Sequence, residues 1–269
     1  MWESLFFELF IYIATGAVVG FSAGLLGIGG GLIIVPVLSL VFFYTLNTSE
    51  AVHLAIGTSL ATIIMTSLAS VRAHHQHQAV QWNIVKLLAI GITAGAFLGG
   101  WSSQFISSTQ LGQLFAFLEI LIAIHLWRSI KPQAKTHQNL TGLPKNTLAG
   151  TFIGTLSSII GIGGGTLTTP YLLWHNISIH HAIATSTAAS LPLAIAGATG
   201  YYLAGLNSVN LPDYATGYIY WPAFLGIVAT SFFTAPIGAR YAHKIPVQRL
   251  QKIFAIILIL LAIKMLIFV

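Results

Sequence analysis

The stretch GLLGIGGGLIIVPVL, residues 24–38, places four glycines within five consecutive positions of an otherwise apolar run. Inside a helix only proline is costlier than glycine, because glycine loses the most backbone freedom when it becomes ordered. The stretch IIGIGGGTLTTPYLL, residues 159–173, repeats the pattern later in the chain. Two clusters of this density predict two breaks in helical structure.

The composition of the chain is that of a membrane protein. Of its 269 residues, 56% are hydrophobic and only 6% are charged, against about 25% charged residues in soluble domains. The chain contains no cysteine, which excludes disulfides, thiolate nucleophiles and cysteine-ligated metals. Its basic residues lie mostly between apolar segments, so the net charge of +6 indicates membrane topology rather than nucleic-acid binding.

The glycine clusters belong to two copies of one longer unit. Corresponding positions keep the same order over three blocks of sequence, and the spacing between copies changes only between apolar segments. Pairs taken from the three blocks are Gly27 with Gly161, His53 with His180, and Trp82 with Trp221.

The apolar segments beside the second glycine cluster are too short to cross a membrane. At a rise of about 1.5 Å per residue, segments 147–160 and 165–174 reach only roughly 21 Å and 15 Å, against a hydrocarbon core of about 30 Å. They form either one broken crossing or a hairpin that turns back at the glycines. A broken crossing would put equivalent loops of the two copies on one side of the membrane, whereas a hairpin would put them on opposite sides.

The distribution of basic residues favours the hairpin. The loop after the third segment is flanked by Arg72 and Lys86 in the first copy, whereas its counterpart, 205–217, carries only Asp213. The loop before the last segment shows the reverse, because it is uncharged in the first copy and basic in the second. Under the positive-inside rule this exchange predicts two copies of inverted topology.

We therefore predict an all-α integral membrane protein with two inverted-topology repeats, each with a helical hairpin broken at GIGGG and three full transmembrane helices. The first membrane repeat covers 1–128, a basic linker covers 129–146, and the second repeat covers 147–269. The linker is placed in the cytoplasm and the N-terminus outside the cell (inner) membrane. The first residues, MWESLFFELF, are acidic and lack the basic region of a cleavable signal peptide.

The glycines then form the tips of two half-membrane hairpins that meet near the midplane. A helix begins after each cluster, at about Leu32 and Thr166, and its first N–H groups carry the positive end of the helix dipole. Two such helix starts facing one cavity would bind an anion without a buried lysine. The tip residues predicted to bind substrate are Gly29, Gly30, Gly31, Leu32, Gly163, Gly164, Gly165 and Thr166.

Hydroxyl groups and prolines extend the predicted site. The motifs AIGTS and AIATS place hydroxyls near the starts of the third segments, beside the hairpins, and these are predicted to contact the substrate. The prolines that follow the tips weaken their helices and free a carbonyl group. The hydroxyl residues are Thr58, Ser59, Thr185 and Ser186, and the residues predicted to break helices are Gly27, Pro36, Gly161 and Pro170.

These features also have plainer interpretations. Glycines allow close helix packing when they recur every four residues, although the adjacency in GIGGG suits a hairpin tip better. Hydroxyls in membrane helices often bond back to a carbonyl four residues earlier. No lysine follows the glycines, which argues against a nucleotide phosphate loop. Glycines with the four-residue spacing are Gly16, Gly20 and Gly24, and also Gly91, Gly95 and Gly99.

Glu119 lies at the centre of the apolar stretch LGQLFAFLEILIAIHLW, roughly 15 Å from either end. An ionisable residue at that depth is a functional hypothesis by default. We hypothesise that it takes up a proton during transport or pairs with a polar group at the bundle interface. The alternative is a neutral carboxyl group that is hydrogen-bonded for packing. Leu258 occupies the equivalent position of the second copy.

Histidines give a weaker signal than the glycines. The stretch HHQHQ, residues 74–78, is predicted to be a solvated loop rather than a metal site, because it contains no carboxylate. His53, His180 and His181 lie at segment starts, where an interfacial imidazole is ordinary. The equivalence of His53 and His180 leaves a gating role open. No metal, cofactor or catalytic residue is predicted.

The two GxGGG modules, each separated from a following proline by four residues and then followed by GTS or ATS, resemble the TauE/SafE family of sulfite and organosulfonate exporters. The stretch APIGARYAHKIP, residues 235–246, also resembles that family, although the first copy reads GGWSS at 99–103, so a role for Arg240 need not be duplicated. The resemblance covers essentially the whole chain and implies export of small anions such as sulfite or sulfoacetate. It carries over the residues Gly27, Gly29, Gly30, Gly31, Pro36, Gly161, Gly163, Gly164, Gly165 and Pro170.

The sequence thus predicts a secondary transporter of small sulfur-containing anions, an exporter working by alternating access around a midplane anion site. An inside-negative potential drives an anion outward by about 2.3 kcal/mol per charge per 100 mV. Alternatives are a permease or channel for other small anions such as carboxylates, or a membrane enzyme. The predicted partners are the anion and the lipid bilayer, with no nucleic acid, and the oligomeric state is left open. An enzyme would need clustered catalytic groups, yet the acidic residues are scattered over Glu3, Glu8, Glu50, Glu119 and Asp213.

Overall fold

A computed structural model describes residues 2–46, 48–128, 142–242 and 247–268. Over these residues the chain forms ten α-helices, a 3-10 turn at Ser103–Phe105 and one small antiparallel hairpin of strands β1, Ala215–Thr216, and β2, Ile219–Tyr220. In chain order the helices are α1 Trp2–Leu26, α2 Gly31–Thr45, α3 Ala51–Gln76, α4 Trp82–Ser102, α5 Ser108–Arg128, α6 Leu143–Ile159, α7 Gly165–Trp174, α8 Ile179–Gly205, α9 Trp221–Tyr241 and α10 Val247–Phe268.

The helices have the lengths and surfaces of membrane spans. Seven helices of the described chain (α1, α3, α4, α5, α8, α9 and α10) are long and apolar enough to cross a membrane. Large apolar side chains such as Phe10, Ile90, Phe233 and Leu260 lie exposed on the outside of the bundle, where lipid would cover them. The prediction of an all-α integral membrane protein is confirmed.

Glycine stripes bring two pairs of helices into close contact, so the packing interpretation of the four-residue spacings is confirmed. In each pair, residue numbers increase in the same direction along both helices from one contact to the next. The helices α1 and α9 are therefore parallel, and so are α4 and α6. α1 follows most of the length of α9 and is therefore longer than the half-membrane arm expected. The positions that face each other are Gly16–Ile227, Gly20–Ser231 and Gly24–Ala235 between α1 and α9, and Gly91–Thr147, Gly95–Thr151 and Gly99–Thr155 between α4 and α6.

The short helices α2 and α7 turn back at the glycines. The Tyr171 hydroxyl, near the end of α7, donates to Asn146 Oδ1 at the start of α6 over 2.7 Å. Phe42, near the end of α2, packs against Tyr220 with ring centroids 5.1 Å apart. Tyr220 directly precedes α9, the parallel neighbour of α1, so the end of α2 lies near the start of α1. Each helix pair is therefore a hairpin rather than a broken crossing.

The helices α3 and α8 lie antiparallel. His53, at the start of α3, stacks on Tyr218 with ring centroids 4.7 Å apart, and the Tyr218 N–H donates to the Tyr201 carbonyl near the end of α8. At the other end, His181 Nδ1, at the start of α8, lies 2.8 Å from the carbonyl oxygen of Ala79, just after α3. These two helices thus run in opposite directions.

Three expectations need correction. The helix α6 begins at Leu143, inside the expected linker 129–146, of which 129–141 lie outside the described residues. The loop expected at 205–217 extends through strand β2, and the helix that follows it starts only at Trp221. The stretch 74–78 is only in part a solvated loop, because 75–78 are exposed but 74–76 end α3 and His74 is buried. His74 Nε2 lies 3.2 Å from the Gly24 carbonyl, which has no helical donor at the end of α1.

We expect the variant Gly20→Leu to be markedly less stable than the wild type. Even a methyl group at Gly20 would lie 2.6 Å from the Ser231 Cα, and overpacking of this kind costs about 1–3 kcal/mol. The apparent melting temperature of the detergent-purified protein measures the effect. Val18→Leu, on the exposed face of the same helix, is the matched control. Equal stability of the two variants would contradict the close contact between α1 and α9.

Candidate functional site

The two glycine clusters meet inside the protein. A methyl group on Gly29 would lie 2.6 Å from the Gly163 Cα, and one on Gly163 would lie 2.7 Å from the Gly29 Cα. Residues 27–31 and 161–165 are all buried. Backbone φ angles between +69° and +82°, which favour glycine, occur at Gly27, Gly29, Gly30 and Gly161.

The helices that begin at the tips differ in their free hydrogen-bond donors. Within the described residues, the Gly31 and Leu32 N–H groups at the start of α2 have no acceptor. At the start of α7, the Gly165 N–H donates to Ser190 Oγ over 3.2 Å, and the Thr166 N–H donates to the Gly163 carbonyl over 3.3 Å. The start of α2 is therefore the more available of the two predicted anion-binding helix starts.

Ser59 and Ser186 are buried beside the tips, as the motifs predict. Ser59 Oγ donates to the Gly161 carbonyl over 2.9 Å, which ties α3 of the first half to the tip of the second. Ser186 Oγ lies 2.8 Å from Thr169 Oγ1 of α7 and also donates locally to the Ile183 carbonyl. Ser59 therefore contacts the second tip directly, whereas Ser186 contacts α7 beyond that tip.

Thr58 and Thr185 hold loops instead. Thr58 Oγ1 accepts the Tyr220 N–H over 2.9 Å, and Thr185 Oγ1 accepts the Gln81 N–H over 3.1 Å. These two loops directly precede α9 and α4. Each threonine therefore binds the loop before a long helix. In this arrangement their hydroxyl oxygens are engaged by backbone donors rather than by the tips.

Further buried hydroxyl groups lie close to the second tip. Ser157, Ser158 and Thr168 have no hydrogen-bond partner for their side chains among the described residues. Ser158 Oγ is 2.7 Å from where a methyl group on Gly197 would lie, so it sits in the close contact between α6 and α8. The available sequence signal for the two serines was their adjacency, with two residues between them and the cluster at 161–165.

Glu119 is completely buried in α5, a helix that packs on α10 and touches α3. Neither of its carboxyl oxygens has a hydrogen-bond partner within the described residues. The polar partner and the packing hydrogen bond that the sequence suggested are therefore both missing from the described part of the chain. A buried polar group without a partner is costly, and groups of this kind mark functional positions in membrane proteins.

One end of the bundle, which we name the acidic face, holds the starts of α1, α3 and α9. The start of α5 also lies there, because the Val52 N–H donates to Ser108 Oγ over 3.2 Å. The end of α10 lies there too, since the rings of Tyr44 and Phe268 are 5.7 Å apart. The acidic side chains at this end are Glu8, Glu50 and Asp213.

The opposite end, which we name the basic face, holds the ends of α3, α5 and α9 and the starts of α4, α6 and α10. Positive charge collects there, and among the described basic residues only Lys264, near the end of α10, lies toward the acidic face. The basic residues at this end are Arg72, Lys86, Arg128, Lys145, Arg240 and Lys252.

Comparison with known proteins covers nearly the whole chain. The family model described as sulfite exporter TauE/SafE matches residues 12–265. A protein of Haemophilus influenzae named as a probable membrane transporter protein is 38% identical over 262 residues, which are 97% of this chain and 99% of that protein. A protein of Methanocaldococcus jannaschii with the same description is 28% identical, over 92% of this chain and 91% of its own length. No solved structure matches.

Proposed function

Because this chain belongs to the sulfite exporter TauE/SafE family and is a multi-pass membrane transporter, we propose that it exports small sulfur-containing anions such as sulfite or organosulfonates. The anion would bind where the two glycine tips meet. The observation that carries this proposal is the contact of Gly29 with Gly163 beside the free Gly31 and Leu32 N–H groups. Backbone donors at a helix start favour an anion without a charged side chain.

We further propose that the two halves are inverted repeats and that transport proceeds by alternating access. Equivalent contacts support this, because the equivalent threonines Thr58 and Thr185 each hold one loop. A rocking motion of one half against the other would expose the tips to each face in turn.

The charged faces support an orientation and a direction. With the basic face in the cytoplasm, the positive-inside rule is satisfied and the N-terminus lies outside the cell membrane. Positive charge on the inner face raises the local concentration of anions there, and the acidic outer face repels their return. The membrane potential drives the anion outward as well.

The chemistry of the chain supports a transporter rather than an enzyme. Glu8, Glu50 and Asp213 lie at the acidic face, away from Glu119 within the bundle. We propose that Glu119 takes up a proton during the transport cycle, because its buried carboxyl group has no partner among the described residues.

The test is anion flux in proteoliposomes loaded with sulfite, under an imposed potential, with sulfoacetate, thiosulfate, sulfate and acetate as competitors. We expect saturable, potential-dependent release, which the variant Ser59→Ala slows roughly fivefold by removing one hydrogen bond at the tip. Ser22→Ala, which loses only a local bond to the Val18 carbonyl, is the control. If folded protein transported acetate but not sulfite, the substrate would be a carboxylate rather than a sulfur anion. A flux that rises linearly with anion concentration and that no competitor reduces would indicate a channel.

A further inference from the structure

A polar cluster at the acidic face has no part in the proposed anion site. His53, in the first turn of α3, is buried, and its Nδ1 lies 2.9 Å from Glu50 Oε2. Its Nε2 lies 3.1 Å from the carbonyl oxygen of Ser103, just after α4, and its ring stacks on Tyr218. The cluster therefore joins α3, the end of α4 and the β1–β2 hairpin.

Nε2 of the His53 ring faces a carbonyl oxygen, and Nδ1 lies beside the Glu50 carboxylate in an ion-pair contact that lacks hydrogen-bond geometry. A carbonyl oxygen cannot donate, so the contact with Ser103 places a proton on Nε2. The short contact between Nδ1 and Glu50 is attractive only when another proton lies on Nδ1 or on the carboxyl group. Without that proton, a carboxylate would face a nitrogen lone pair. The closed cluster thus requires one proton shared by Glu50 and His53.

The β1–β2 hairpin, which Tyr218 links to this cluster, covers the start of α3. The Tyr218 carbonyl packs directly on Gly57, and the Tyr220 N–H donates to Thr58 Oγ1. The next residue, Ser59, contacts the Gly161 tip. The hairpin therefore lies between the acidic face and the proposed anion site, where it can close that end of the path.

We propose that Glu50 and His53 form a proton-binding site that controls opening toward the acidic face. Their shared proton holds the β1–β2 hairpin against α3, and its loss to the outer solution releases the hairpin. The proposal rests on the proposed transport function and adds a proton as the ligand that regulates opening toward the acidic face. The second half has no copy of this site, because Ile177 stands at the position of Glu50 and His180 is exposed.

The direction of the pH effect follows from the groups around the cluster. Pairing with His53 lowers the pKa of Glu50, so the contribution of this carboxylate to closure is present at neutral pH and is lost only as pH falls through the lowered value. Burial raises the pKa of Tyr218, which keeps its hydroxyl neutral. The Glu50 carboxylate therefore stays charged as the outer pH rises, and the shared proton is the ligand that the cluster loses. Other titratable groups near the cluster and the hairpin are Glu8, Tyr201, Asp213, Tyr214 and Tyr220.

The chain has no cysteine, so one introduced cysteine can report on opening. Thr62, one helical turn below Thr58, is fully buried, whereas Val209 in the outer loop is 94% exposed. We compare the rates at which Thr62→Cys and Val209→Cys react with a membrane-impermeant thiol reagent added outside. Dividing the first rate by the second removes the pH effect that the two thiols share, and the same ratio in the His53→Gln background corrects for the further pH effect that burial gives the thiol of Thr62→Cys.

Between about pH 6 and about pH 9 outside, we expect this ratio to rise roughly fivefold. Adding His53→Gln or, separately, Glu50→Gln should reduce the pH dependence to that of the buried thiol alone, whereas His180→Gln should preserve it in full. A pH-independent ratio without these changes, or an unaltered pH dependence in both variants, would overturn the proposal. An unfolded variant is recognised by a ratio near one at every pH. The assay uses no transported anion, so its failure leaves the sulfite flux test unaffected, and the reverse also holds.

Discussion

Replacing Gly29 with alanine is expected to unfold the centre of the protein and to abolish transport. Gly29 has a φ angle of +75°, and a methyl group there would lie 2.6 Å from the Gly163 Cα. The unfavourable backbone conformation costs about 1–3 kcal/mol, and overpacking adds about as much. The added methyl group would clash with a backbone atom of the opposite hairpin, so no side-chain rotation can relieve the clash.

The matched control for this prediction is Gly164→Ala in the other cluster. Gly164 has a φ angle of −54°, and the nearest atom to an added methyl group is Leu193 Cδ1 at 3.2 Å, the end of a flexible side chain. We expect the apparent melting temperature of the purified protein to fall sharply for Gly29→Ala and to change little for Gly164→Ala. Equal melting temperatures would mean that the two tips do not touch.

The same contrast indicates how far the sequence could predict the site. The adjacency of glycines predicted the tips, and the four-residue spacing of Gly16, Gly20 and Gly24 predicted a packing stripe. Both patterns are local, since they depend on backbone freedom and helical period. That Gly29 meets Gly163, rather than some other surface, depends on how two distant hairpins pack, and only the copied pattern suggested it.

Other parts of the site lay beyond sequence patterns. Thr58 and Ser59 are neighbours in one motif, yet Thr58 binds the Tyr220 N–H and Ser59 binds the Gly161 carbonyl. Successive residues of a helix point about 100° apart, so one motif can serve two contacts. His74 was misassigned to a loop for a related reason, because its partner, the free carbonyl of Gly24, becomes known only when α1 and α3 pack.

Replacing Glu119 with leucine is expected to make the protein more stable and to abolish its transport. Leu258, which the sequence pattern pairs with Glu119, is a fully buried leucine in α10. Removing a buried polar group that lacks a partner gains about 1–3 kcal/mol. A buried carboxyl group that lowers the stability of the fold is expected where that group is needed for function.

Melting temperature and flux under a pH gradient, measured on the same preparations, separate the roles of Glu119. Glu119→Gln keeps a polar group but cannot carry a proton, so we expect no comparable gain in stability and a flux that no longer responds to the gradient. If Glu119→Leu were more stable and still transported sulfite with the wild-type pH profile, the carboxyl group would have no part in transport. If Glu119→Leu were less stable, the carboxyl group would have a bonding partner that stabilises the fold. A gain in stability with a loss of flux is the result that a proton-carrying Glu119 requires.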